Sequence, residues 1–172
     1  MLTPALSAHD HIQGSPDAEI VMVEYGDYQC PYCGAAYPIV KELQKRLKDQ
    51  LCFAFRNFPL ANAHPHAESA AEAAEAAGAQ GKFWQMHDML YENQEALEPE
   101  DLKKYSSSLG LDLRRFTHEM SEHVYAPRVR EDFRSGVRSG VNGTPSFFIN
   151  GALYTGSYDV HSLFTALTKA AS

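Results

Sequence analysis

The apolar positions change period along this chain, and each change marks an element. Ile20-Val21-Met22-Val23 is a short, β-branched apolar run, which predicts a strand covered on both faces from about Ile20 to Tyr25. Gly26 and Asp27 close it. From Pro31 the spacing becomes helical: Ala35, Ala36, Ile39, Val40, Leu43 and Leu47 recur, with Lys41, Glu42, Lys45, Arg46 and Lys48 between them. Pro31 suits the first turn of that helix, where its missing N–H costs nothing. Leu51-Cys52-Phe53-Ala54-Phe55 reads as a second strand, reaching to about Phe58. Strand, helix, strand in that order predicts a parallel pair with a right-handed crossover.

The middle of the chain, from about Pro65 to Ser139, carries helical patterns only. Ala67 to Ala77 is an alanine-rich helix in which Glu68, Glu72 and Glu75 are expected on a solvated face. Lys82 to Asn93 places Phe83, Trp84, His87, Leu90 and Tyr91 on one side, where His87 is expected to pack rather than bind. Pro99-Glu100-Asp101 starts another helix, with acids in its first turn. Asp112 caps Leu113 to Met120, and Val129, Phe133 and Val137 mark a last one. Strands then return. Pro145 to Ile149 and Ala152 to Thr155 flank Asn150-Gly151, the strongest two-residue hairpin signal. Ser157 or Asp159 caps a final helix through Val160, Leu163, Phe164 and Leu167.

The sum is an α/β fold, β-α-β then β-β-α, with an all-helical insertion between the halves. We read residues 1–172 as one domain, with its core at about 15–60 and 140–172 and the insertion at about 63–139. Met1 to Gly14 reads as a polar lead-in. It has neither a cationic start nor an apolar segment, so the sequence as written reads as cytoplasmic; a removed presequence would make it periplasmic or otherwise extracytoplasmic. Hydrophobic residues at 44% and charged residues at 22% are ordinary for a globular chain of 172 residues. The net charge of −7 argues against nucleic acid as a partner. No apolar run is long enough for membrane insertion.

The chemistry concentrates at Cys30-Pro31-Tyr32-Cys33. Cys30 falls at the N-terminus of the first helix and Cys33 three residues later on the same face. Orphan N–H groups and the positive end of the macrodipole favour thiolate at Cys30. Cys33, one turn in, is expected to be more buried and less nucleophilic. The pair therefore predicts dithiol–disulfide exchange: Cys30 forms a mixed disulfide and Cys33 resolves it. Tetrahedral zinc is the competing reading, but a second C-x-x-C is absent and His64 and His66 are the nearest further ligands. No metal is assigned. A purely structural disulfide is weaker still, because so short a loop removes little unfolded-state entropy. Cys52 is expected in the core. His9, His11, His118, His123 and His161 show no ligand spacing and are expected at the surface.

This arrangement resembles the thioredoxin superfamily, and its helical insertion resembles the DsbA-type thiol-disulfide oxidoreductases. The resemblance runs from about Glu19 to Thr168. It rests on Cys30-Pro31-Tyr32-Cys33 and on Gly140-Val141-Asn142-Gly143-Thr144-Pro145-Ser146-Phe147-Phe148, with support from Phe55-Arg56-Asn57-Phe58-Pro59-Leu60 and Gly81-Lys82-Phe83-Trp84. It implies that Cys30 and Cys33 are the redox pair and that Thr144-Pro145 is a cis-proline loop meeting substrate backbone. It implies too that Glu24 is a buried acid relaying the proton of the resolving thiol. Pro31 and Tyr32 would tune the pair and face substrate. Tyr32 stands where the most oxidising members carry histidine, so an intermediate potential is expected. The partners implied are protein thiols and disulfides, with a redox protein or glutathione to recycle the pair. No cofactor is needed, because the dithiol carries two electrons itself. Two rivals stay open: a non-redox, zinc-holding or binding module, and a glutathione-dependent isomerase or transferase on the same scaffold.

Overall fold

Five strands form one mixed sheet in the computed structural model, which describes Met1–Ser172. They are β1 (His11–Gly14), β2 (Ile20–Gly26), β3 (Leu51–Asn57), β4 (Ser146–Ile149) and β5 (Ala152–Leu153), in spatial order β1-β3-β2-β4-β5. β2 and β3 are parallel, with Ile20 opposite Leu51, and α1 (Pro31–Leu47) joins them as the crossover. β4 runs antiparallel to β2, setting Glu24 opposite Phe147. Asn150 and Gly151 join β4 to β5 with φ of 46° and 84°, both left-handed, as a mirror-image two-residue turn requires.

The sheet buries both faces. Met22, Phe53, Phe55 and Phe147 pack with Cys33, Val40, Leu43 and Leu47 of α1, and with Leu163 and Leu167 of α7 (Val160–Ala170). Val23, Tyr25, Ala54 and Phe148 build a smaller cluster on the other face. Cys52 is fully buried in β3, as expected.

The insertion consists of α2 (Ala67–Ala79), α3 (Phe83–Glu92), α4 (Pro99–Ser108), α5 (Leu113–Ser121) and α6 (Ala126–Arg138). α2 is covered on nearly every side, and its alanines, bare beyond Cβ, let neighbouring helices approach closely. Gly136 serves the same end in α6: a Cβ there would lie 2.6 Å from the Phe58 ring.

Three expectations are corrected. The N-terminal segment is not a lead-in: it contributes β1, antiparallel to β3 with His11 opposite Phe55, and buries Leu2. The guanidinium of Arg56 ties this segment down, donating to Asp10 at 2.7 and 2.9 Å and to the Pro4 carbonyl at 3.0 Å. A four-residue strand with one apolar side chain gave no periodic signal. Glu72 and Glu75 are buried rather than solvated, while Glu68 is exposed. Glu75 accepts from His11 Nε2 and from Asn57 Nδ2, both at 2.9 Å, so its charge is compensated inside. His11, expected at the surface, stacks on Phe83 with ring centroids 3.6 Å apart. His87 packs in the core as expected, its Nδ1 2.9 Å from the Tyr28 hydroxyl.

Candidate active site

The loop leaving β2 delivers Cys30 to the N-cap position of α1, and Pro31 follows as the first helical residue. Both Cys30 and Cys33 are free thiols, 3% and 0% exposed. Their environments split them. Cys30 is held down to about 5, first by the Cys33 thiol donating to its sulfur. The N–H groups of Cys33 and Tyr32 add to this, outweighing the opposing effect of burial. Cys33 goes the other way: burial pushes its thiol far above the ordinary range, and its bond to Cys30 and the Glu24 charge add to the push.

Glu24 lies on the α1 face of β2 and is buried. Burial, with the nearby Cys30 charge, raises its carboxyl to about 8, so it is mostly protonated at neutral pH. Its Oε1 has no hydrogen-bond partner. Across the site, the Thr144-Pro145 peptide is cis, and the Thr144 carbonyl lies 3.6 Å from Cys30 Sγ, accepting from it when the sulfur is a thiol. The Thr144 hydroxyl is buried without a partner of its own. Pro31 and Tyr32 form the rim, with Tyr32 75% exposed. The structure thus brings Cys30, Cys33, Glu24 and Thr144-Pro145 together, and sets Pro31 and Tyr32 at the edge.

The thioredoxin family model matches residues 6–169. The chain belongs to the thioredoxin family. Among solved structures, oxidised BdbD from Bacillus subtilis superimposes with a TM-score of 0.86 at 23% identity, covering 94% of this chain and 92% of that one. A thioredoxin-like oxidoreductase from Silicibacter pomeroyi gives 0.81 at 27% identity, over 95% and 93%. The fold is the DsbA-type variant of the thioredoxin fold, and the relationship supports a general oxidoreductase role. A curated relative, the Na(+)/H(+) antiporter NhaA 1 of Salinispora arenicola, is 44% identical across 99% of this chain. The chain spans only 26% of that protein's length. No helix here is long and apolar enough to cross a membrane.

Around the thioredoxin-family pair stand residues that the sequence did not flag. Asp27 is the chief one. Its Oδ1 accepts from the N–H groups of Gln29 (2.8 Å) and Cys30 (3.1 Å); its Oδ2 accepts from Leu60 N (2.8 Å) and His64 Nδ1 (2.7 Å). Gln94, in the segment after α3, donates from Nε2 to the carbonyls of Tyr28 and Cys30, both at 2.9 Å. A side chain at residue 34 would collide with Gln94, so glycine there gives the amide its path. Asp27 had a readable signal, an acid three residues before Cys30, the N-cap of α1. His64 and Gln94 had none, since only the fold brings them here. His64 and His66, the nearest extra metal ligands in the sequence, engage Asp27 and, at 3.4 Å, Glu98.

Proposed function

We propose that this protein is a thiol–disulfide oxidoreductase acting on protein thiols, with Cys30 as nucleophile and Cys33 as resolving thiol. One observation carries the reading: two thiols of one helical turn are driven in opposite directions, Cys30 to about 5 and Cys33 far above its ordinary value. In the oxidising direction a substrate thiolate attacks Cys30 Sγ of the Cys30–Cys33 disulfide. The S–S bond breaks, a substrate–Cys30 bond forms, and Cys33 leaves as thiolate. Glu24, protonated at neutral pH, supplies the proton to Cys33. A second substrate thiolate then displaces Cys30, so the substrate is oxidised by two electrons and the pair is reduced. The cis Thr144-Pro145 loop and the exposed Tyr32 flank the sulfur on the side from which substrate comes.

A thiol near 5 lies between thioredoxin at about 7 and DsbA at about 3.5, which supports an intermediate potential. Equilibration with glutathione, read by thiol trapping, is expected to place the pair between about −270 and −120 mV. No intramolecular disulfide at any poise would overturn the reading. The antiport named in the longer relatives is assigned to the part of those proteins that this chain does not span.

A further inference from the structure

The pair Pro31-Tyr32 offers Cys30 no cation or side-chain donor, yet a histidine reaches the same helix end from elsewhere. His64 is carried by the turn after β3, which closes through His64 N to Leu60 O at 2.8 Å. Its Nδ1 lies 2.7 Å from Asp27 Oδ2, and Asp27's other oxygen accepts the Cys30 N–H. A carboxylate only accepts, so His64 Nδ1 carries the proton and donates. The side chain of Asp27 is fully buried and that of His64 is 19% exposed. Four N–H donors fill the carboxylate, two on each oxygen, which is about its full capacity.

We propose that His64 is a positioning residue for Cys30, acting through Asp27 by drawing carboxylate charge away from the oxygen that faces the Cys30 N–H. This rests on the dithiol reading above. The physical reason is short-range. A buried anion beside the N-terminus of α1 competes with the Cys30 thiolate for the same positive helix end and repels its charge. A donor on its far oxygen weakens that competition. Without His64, Asp27 leans on its remaining three donors, and the thiolate beside them loses stabilisation. Because the thiolate exists only in the reduced form, the balance between dithiol and disulfide moves with it.

The test uses the full chain with His64→Leu, which fills the ring's space without a donor, and His64→Ala, so that one folded variant is enough. His64→Asn is the rescue, since its amide nitrogen can donate from nearly the place of Nδ1. Two quantities are read: the ultraviolet titration of the Cys30 thiolate and the equilibrium constant against glutathione. The donor-less variant is expected to titrate at higher pH and to favour the disulfide by about three- to tenfold more, the size of a partly transmitted hydrogen bond to a charged group. His64→Asn is expected to return within about twofold of the parent on the same grounds. A donor-less variant that loses stability but keeps both quantities would overturn the proposal, leaving His64 as a structural fastening. So would a His64→Asn protein no closer to the parent than His64→Leu. If the parent itself forms no disulfide, it is the dithiol reading that falls.

Discussion

At the scale of single residues, Glu24 and Cys30 pull the reduced fold in opposite directions as pH changes. Cys30 is depressed from 9.0 to about 5, so its contribution is complete above the ordinary thiol value and is lost as pH falls through 5. Glu24 is raised from 4.5 to about 8, so stability is greatest below 4.5 and is lost as pH rises toward 8. Glu24→Gln is therefore expected to stabilise the reduced protein at pH 7 by about 2–3 kcal/mol, a difference that closes below pH 4.5. Urea unfolding at both pH values checks this. The same variant is expected to slow Cys33-dependent exchange, read by stopped flow. Cys30 and Cys33 were legible as cysteines at a helix start, whereas Glu24 and Pro145 were named through the family resemblance. His64 and Gln94 break no pattern, and their roles arise only when distant segments meet at the end of α1.

At the scale of elements, α1 depends on what holds its first turn. The carbonyls of Tyr28 and Cys30 are fixed by one amide, that of Gln94, and Gly34 leaves room for it. Gly34→Ala is expected to swing the amide away and cost about 1–3 kcal/mol, despite alanine's better helix propensity. Thermal unfolding would show it, and a stabilised protein would refute the clamp. Helix and strand positions followed well from periodicity, because few arrangements besides a half-buried helix and a covered strand produce a 3.6-residue stripe and a β-branched run. What periodicity did not convey was how many faces of α2 are covered. Alanines read alike in solvent and in a core, so Glu72 and Glu75 were assigned to water when they lie inside.

At the scale of the whole molecule, β1 and the residues before it are fastened by one buried cation. Arg56 and Asp10 are 3% and 5% exposed, and the same guanidinium also meets the Tyr25 hydroxyl at 2.9 Å. Arg56→Met takes from Asp10 its main partner and leaves only the Ser7 N–H and the more distant Arg128, with an expected cost of about 2–4 kcal/mol. Adding Asp10→Asn is expected to recover part of it. Limited proteolysis of Arg56→Met is expected to open first among the residues ahead of β1. Nothing in Met1 to Gly14 announced this, because its anchor lies in another strand.

Cys52 lends the molecule a practical property. The chain has three cysteines, one sealed in β3 and one buried and pushed toward the inert thiol form, which leaves one ionised sulfur near neutral pH. Towards a mild alkylating agent the native protein is thus a single-handle reagent. In the reduced protein a small alkylating agent is expected to add at Cys30 first, without any cysteine having to be engineered away.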